Sequence, residues 1–360
     1  MNNCLVTTLK ASTGNKSLLK VGEMVIDVKE MSSPTNNTNK LVLNNGGISD
    51  FSLEVENGEA NLTLDSNMSS GWSSTLVLPK KNAEQTVYFR NGNYRVKMIS
   101  KYNIISYKTD SAKTAICVDV KNLQFSSKVT NITGQIKGDI KNLSALTSIT
   151  TLYCVNNSNV SGEIADIKNL TQLSNLRLLG DYSGDIASLN LINPPLALDL
   201  ALISPNVTGD IASIANLTKI KTLSLSTPKV TGDIASLANL SLLTIVNIEY
   251  NNNIKGDIVS LANKPIRNIT FSGSPNISGD IASLANLTSL SVFYVLGTQI
   301  RGELVDFIIS QRGNGRTTGS IRIQANGILT FNDKVLGGIN TISWTASTIT
   351  NETTSETVNR

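Results

Sequence analysis

Eight acidic residues recur at a nearly constant spacing in this chain, each after a glycine: Asp139, Glu163, Asp185, Asp210, Asp233, Asp257, Asp280 and Glu303. Carboxylates serve acid-base catalysis, glycoside cleavage in pairs, and hard-cation binding. A glycosidase needs two carboxylates in unlike surroundings, and a uniformly repeated acid has no odd member for the second role. Calcium asks for about six to eight converging oxygens, so one carboxylate per repeat is a poor donor set, though Gly-Asp-rich β-rolls keep that alternative open. The simpler reading is that each carboxylate caps a short helical turn beginning at the next residue, accepting from its exposed N–H groups. The sequence has no histidine, and Cys4, Cys117 and Cys154 lack metal-ligand spacing. Ser-His-Asp triads, Cys-His dyads and zinc sites are thereby excluded, and no catalytic, cofactor or metal residue is expected.

The acids belong to a repeat. Gly138, Gly162, Gly184, Gly209, Gly232, Gly256, Gly279 and Gly302 are spaced 24, 22, 25, 23, 24, 23 and 23 residues apart. Within the last full unit Ile281, Leu284, Leu287, Leu290 and Phe293 stand three apart, the spacing of a 3₁₀ turn with one buried face. Phe293 and Val295 then step by two, as in a strand. A single unit cannot bury these residues, so units must stack, with each strand parallel to the next.

The order of LTSLSVFYVLGTQIRGEL at 287–304 resembles a leucine-rich repeat of the subtype with a Gly-x-Ile step. The resemblance implies a predominantly β solenoid, with a parallel sheet on one face and 3₁₀ or short helical segments on the other. It also implies an Asn after each strand whose side chain bonds the loop. Aligned here, that position holds Pro205, Pro228, Pro275 and Thr298, with Asn157 and Asn252 as exceptions, so the prolines' preset φ is expected to order the loop instead. A second column, Asn142, Asn169, Asn216, Asn239, Asn263 and Asn286, is expected to bond backbone in the convex turn. Outward strand positions form the candidate binding face, for which we single out Asn175, Arg177, Ser224, Asn247, Glu249, Thr270 and Tyr294. That face is small and polar in the middle and apolar toward the last unit.

Four regions are expected. Residues 1–48 form an N-terminal attachment segment and 49–113 a small antiparallel β domain with hairpin signals at 56–60 and 90–93. Residues 114–310 form the solenoid, and 311–360 a β cap whose last residues, NETTSETVNR, should fray or be held by a partner. Charged residues are only 16% of the chain and aromatics 5%. The basic excess lies in residues 1–137, with 16 Lys and Arg against 11 Asp and Glu, as separated residues and not as a nucleic-acid footprint. No run suits a membrane-spanning helix, and the first residues lack the apolar stretch of a secretory leader, so synthesis in a cytoplasm with reduced thiols is expected.

The opening NNCLVTTLKASTGNKSLLKVGEMVIDVK is similar to the start of structural proteins of phages of Bacteroides-type gut bacteria, including crAss-like phages. That resemblance implies a non-enzymatic virion component, a head or tail fibre or decoration protein. Residues 1–48 would join other virion proteins, and the protein would stand in multiple copies or as a homo-oligomer. The repeat surface would pack on neighbouring subunits or bind a host-surface glycan or protein, with neither nucleic acid nor membrane as partner. The alternative is a bacterial leucine-rich binding or adhesion module. A polysaccharide-cleaving enzyme would have to use Asp199 and Glu249, the two acids placed on the strands.

Overall fold

The computed structural model describes nine strands between Gly22 and Asp119 by their backbone, Val120, and residues 129–134, 136–154, 160–192 and 198–359. The chain divides into two compact units, Met1–Tyr182 and Ser183–Arg360.

The first unit opens with β1 (Gly22–Val28), β2 (Thr38–Asn45), β3 (Phe51–Val55), β4 (Ala60–Ser66), β5 (Trp72–Leu78), β6 (Glu84–Arg90), β7 (Tyr94–Ser100), β8 (Ile104–Thr109) and β9 (Ile116–Asp119). One sheet pairs β5, β4, β7, β1 and β9 antiparallel. The other pairs β6 with β2 and β3 with β8 antiparallel, joined by the parallel pair β2 and β3. Strands on both sides of residue 48 therefore pair with each other. The expected hairpins do not form, because β3 and β4, like β6 and β7, lie in different sheets. An Asn-Gly step favours reversal of the chain but does not choose the strand that it pairs with. The remaining residues of 1–48, both hairpin loops and Asn157 lie outside the described residues.

The repeat follows in the same unit as β10 (Asn131–Gly134), β11 (Ile136–Asp139), β12 (Thr151–Cys154), β13 (Val160–Glu163) and β14 (Asn175–Leu179). β8, β10, β12 and β14 run parallel in one sheet, and β9, β11 and β13 in the other. The stacking that the sequence demands is thus what the chain adopts.

β15 (Asp181–Asp185) lies at the junction, and the second unit continues with β16 (Leu198–Ile203), β17 (Asn206–Thr208), β18 (Ile220–Ser226), β19 (Gly232–Asp233), β20 (Ile245–Ile248), β21 (Ile254–Asp257), β22 (Asn268–Thr270), β23 (Ile277–Asp280), β24 (Val292–Tyr294) and β25 (Gln299–Glu303). β16, β18, β20, β22 and β24 pair parallel in that order. The coils carry 3₁₀ turns such as Ile211–Ile214 and Ile281–Leu284, whose Ile and Leu residues are fully buried. This is a leucine-rich-repeat solenoid with 3₁₀ turns opposite its main sheet.

The acid column caps those turns. Asp139, Asp185, Asp210, Asp233, Asp257 and Asp280 each accept from the N–H two residues on, at 2.8–3.0 Å, and Glu303 does so at 3.1 Å. At the remaining turn the bonds are reciprocal, with Asp166 Oδ2 accepting from the N–H of Glu163 at 3.0 Å and the Glu163 side chain accepting from the N–H of Asp166. The glycine before the acid answers the coil behind it at Gly162, Gly209, Gly232, Gly256, Gly279 and Gly302. Gly232 and Gly256 have φ of 112° and 131°, and a Cβ on either would fall on Oδ1 of Asp210 or Asp233 in the preceding coil.

A buried polar residue follows each main-sheet strand of the second unit, and in four of its five coils it stands one place earlier than the sequence alignment put it. Ser204, Thr227, Asn251, Ser274 and Thr298 are all buried. Asn251 is the best placed: its Nδ2 donates to Thr227 O at 2.6 Å and Val230 O at 3.0 Å, and its Oδ1 accepts from the N–H groups of Asn253 and Ile254 at 2.7 and 2.6 Å. Ser274 Oγ donates to Ile248 O at 3.1 Å, and Thr298 Oγ1 to Val295 O at 2.7 Å. The prolines are exposed neighbours of this column and do not order the loop. The second asparagine column fares otherwise than expected: Asn142 bonds Asp139 O at 2.9 Å, but Asn169, Asn216, Asn239, Asn263 and Asn286 are exposed. Backbone bonds such as Leu217 N to Ile214 O and Leu287 N to Leu284 O already close that turn.

The C-terminal cap comprises α1 (Leu304–Gly313), which runs across residue 310, then β26 (Gly319–Phe331), β27 (Lys334–Trp344), β28 (Thr348–Asn351) and β29 (Glu356–Asn359). β26 is parallel to β24 and antiparallel to β27. Glu303 reaches beyond its own turn to accept from the N–H groups of Asn332 at 2.8 Å and Asp333 at 3.2 Å, tying the hairpin turn to the last coil. Arg316 lies over the Trp344 ring at 4.6 Å and donates to Leu290 O at 2.6 Å. The final residues do not fray: β29 pairs with β28 and buries Val358.

Thr227 Oγ1 is buried without a hydrogen-bond partner, whereas Asn251 makes four bonds to backbone. Thermal and urea unfolding should therefore show Thr227→Val neutral or stabilising and Asn251→Ala destabilising by about 2 kcal/mol or more, because the latter orphans buried N–H and C=O groups.

Candidate functional site

Alternation along the main strands leaves every second side chain facing out, and register fixes which outward residues are neighbours. In the first unit Thr151 pairs with Asn175 and Tyr153 with Arg177. Both sequence-chosen residues are engaged there: Asn175 Nδ2 donates to Thr151 Oγ1 at 3.3 Å, and the Arg177 guanidinium lies 5.1 Å from the Tyr153 ring centre. In the second unit Ser224, Asn247, Thr270 and Tyr294 are successive register partners, continued by Gln324 on β26. Glu249 stands two residues beyond Asn247, its N–H on Leu225 O at 2.9 Å.

The chemistry of this row lies in what its side chains leave undone. Ser224, Asn247, Glu249, Thr270 and Tyr294 are half-exposed, and none has a side-chain hydrogen-bond partner among the described residues. On the 3₁₀ side, by contrast, Ser236, Ser260 and Ser283 donate back to Asp233, Asp257 and Asp280 carbonyls at 2.6–2.9 Å. Donors and acceptors held on a rigid sheet without internal partners are available to a ligand at small entropic cost.

One residue at the rim escaped the sequence reading. Tyr250, just past β20, holds a left-handed φ of 53° and is 68% exposed. The next coils hold the left-handed position with Gly273 and Gly297, at φ of 66° and 75°. Tyr250 N donates to Ser272 O at 2.8 Å, and its ring rests so close over Gly273 that a Cβ there would lie 3.0 Å from Cδ1. A bulky side chain in this backbone region costs about 1–2 kcal/mol, which glycine would avoid. The signal was present in the sequence: a tyrosine precedes Asn251 where glycines precede Ser274 and Thr298. Toward the cap the face turns apolar, with Leu296 and Ile339 about half exposed and Val292 beside them.

Nucleophilic chemistry has little to work with here. Cys154 is buried, which pushes its thiol up to about 12 despite a side-chain hydrogen bond with Tyr182 that favours the thiolate, so it stays protonated at neutral pH. Burial likewise pushes the Tyr182 hydroxyl upward. Among the described residues no three His, Cys, Asp or Glu side chains cluster as a metal would require.

No protein-family model matches the sequence, and no curated protein matches it. Among solved structures the chain is similar to the plant peptide hormone receptor RGFR1 in complex with RGF2, at 18% identity and TM-score 0.43 over 59% of this chain and 34% of that one. It is also similar to the receptor kinase ectodomain GASSHO1/SCHENGEN3 of Arabidopsis thaliana, at 20% identity and TM-score 0.46 over 59% of this chain and 25% of that one. Internalin C2 of Listeria monocytogenes is similar at 19% identity and TM-score 0.40, over 62% of this chain and 88% of that one. The chain thus spans about a third and a quarter of the two plant receptor chains. The leucine-rich-repeat assignment stands on this chain's own coil geometry.

Replacing Tyr250 by Gly should raise unfolding stability by about 1 kcal/mol, read from the thermal midpoint with ΔH, because the left-handed strain is removed. Tyr250→Ala, which keeps the strain and loses the ring's packing, should not.

Proposed function

We propose that the chain is a non-enzymatic recognition module whose binding face is the row Ser224, Asn247, Thr270 and Tyr294, flanked by Glu249 and by Tyr250 at the rim. The observation that carries this reading is Tyr250, an exposed aromatic kept at a backbone position where glycine would serve stability better. Strain retained at an exposed residue is a mark of selection for contact and not for folding. The unspent hydroxyls and amide beside it supply the polar part of a contact, and Tyr294 with Leu296 the apolar part. Asn175 and Arg177 belong to the outward face of the first unit, and their internal bonds give them a lesser share.

The finer reading draws on the opening residues. Their similarity to phage structural proteins supports a virion component, a fibre or decoration protein, in which residues 1–48 join other virion proteins and the repeat surface meets the host or a neighbouring subunit. Many copies on one particle would turn a modest contact into firm attachment.

Two measurements test these readings. Labelled full chain applied to intact Bacteroides-type cells should bind, and Tyr250→Gly or Asn247→Ala should weaken binding about tenfold or more, as loss of a central contact residue does. Val259→Ala on an exposed 3₁₀ turn should leave binding unchanged. Equal binding by all variants contradicts the assigned face. Mass spectrometry of purified phage particles should find the chain, and its recovery from bacterial envelopes alone would replace the virion reading with that of a bacterial adhesion module.

A further inference from the structure

The rim beside Tyr250 is built differently from the face it borders. Backbone bonds fix its neighbours. Glu249 N donates to Leu225 O at 2.9 Å, which sets Glu249 beside Ser226, and Tyr250 N donates to Ser272 O at 2.8 Å, which sets Tyr250 beside Gly273. Gly273 N donates to Leu296 O at 2.7 Å, which brings Gly297 next in line. One ring is thus followed by two residues without side chains. A Cβ on Gly297 would lie only 3.4 Å from Gly273 Cα, as one on Gly273 would crowd the Tyr250 ring. With strands about 4.8 Å apart, the two glycines leave roughly 10 Å of bare backbone running along the rim from the ring. Alongside stand Ser226, Glu249 and Ser272, all half-exposed and, like the Tyr250 hydroxyl, without side-chain hydrogen-bond partners among the described residues.

This mixture narrows the ligand. The centre of a protein contact gathers aromatic and apolar residues packed together. The Tyr250 ring instead has a carboxylate, hydroxyls and bare glycine around it, and Leu296 enters only two coils on. A pyranose carries both halves of such a surface. Its face of C–H groups is attracted to the negative face of an aromatic ring, and its edge of paired hydroxyls can donate to the two oxygens of one carboxylate. Glu249 brings a negative charge and no lysine or arginine stands in the group, so a neutral sugar is preferred to an acidic one.

We infer that this rim is a carbohydrate subsite, taking a neutral pyranose with its C–H face on the Tyr250 ring and two adjacent hydroxyls donating to Glu249. The inference rests on the reading of this face as a recognition surface and names its ligand class. Ser226 and Ser272 serve the remaining hydroxyls, and the glycine strip lets a following sugar unit pass without collision.

The test uses the full chain and the methyl glycosides of glucose, galactose and mannose as probes. Saturation-transfer NMR should show at least one of them bound with a Kd of about 1 mM, the scale of a ligand of this size. Tyr250→Ala should abolish the transfer and Tyr250→Phe should keep it, because the ring and not its hydroxyl carries the contact. The uronic acid counterpart of the bound glycoside should bind at least about tenfold more weakly, and Glu249→Gln should narrow that difference to about threefold or less with an unchanged melting curve. On cells that the chain binds, periodate, which cleaves vicinal diols, should abolish attachment, and protease should not. Transfer to none of the three glycosides, equal binding by Tyr250→Ala, or a uronic acid preference that Glu249→Gln leaves unmoved would overturn the proposal. So would attachment lost to protease and kept after periodate, a result that assigns a protein ligand and leaves the recognition face itself standing.

Discussion

The structure depends on one contact made between each coil and the next. An aspartate turns its carboxylate onto the N–H two residues on, and in that position Oδ1 fills the space above the following coil's glycine. The glycine must lack a Cβ for that reason and for its positive φ. Gly and Asp are therefore two ends of one interaction propagated along the stack: each Asp caps its own turn, and each Gly accommodates the Asp behind it. The like charges of the column are tolerated because the aspartates each commit one oxygen to a backbone N–H, and at the two ends Asp139 also pairs with Lys141 and Glu303 also accepts from Asn332 and Asp333. Around this contact the apolar residues at spacings of three and two fill the interior.

Each coil is closed by a second device. The buried Ser204, Asn251, Ser274 and Thr298 take up backbone groups that would otherwise be orphaned, Thr227 lies buried at the same place without a side-chain partner, and coils differ in whether a left-handed residue is inserted before this position. Ser204 and Thr227 follow their strands without one, whereas Tyr250, Gly273 and Gly297 supply it before Asn251, Ser274 and Thr298. That insertion is what lifts Tyr250 out of the sheet and onto the rim.

Much of this was legible in residues alone. The repeat, its parallel stacking, the 3₁₀ turns and the capping acids follow from spacing and from the chemistry of Asp, because those signals are local and recur. The ladder position was misplaced by one residue where prolines follow it, since Ser204, Thr227 and Ser274 are chemically unremarkable until burial is known. The hairpin signals failed for a related reason: Asn-Gly states that the chain turns, while partner choice is decided by distant strands. The tail looked frayed because its polar residues alternate with few apolar ones, yet Val358 alone gives β29 an inward face. Of the chosen binding residues, register brings four into one row, and only the hydrogen-bond pattern separates Asn175 and Arg177, already engaged, from those that are not.

The most direct test of the coil-to-coil contact is a double-mutant cycle on Gly232 and Asp210, read by urea unfolding. If the Asp210 carboxylate occupies the place a Cβ would take, Gly232→Ala should cost at least about 1 kcal/mol less in the Asp210→Ala background than in the parent, leaving the positive-φ strain and the contact with Ile211 Cγ2 at 2.9 Å. Costs that add to within about 0.5 kcal/mol would show the two residues to be independent and contradict the account.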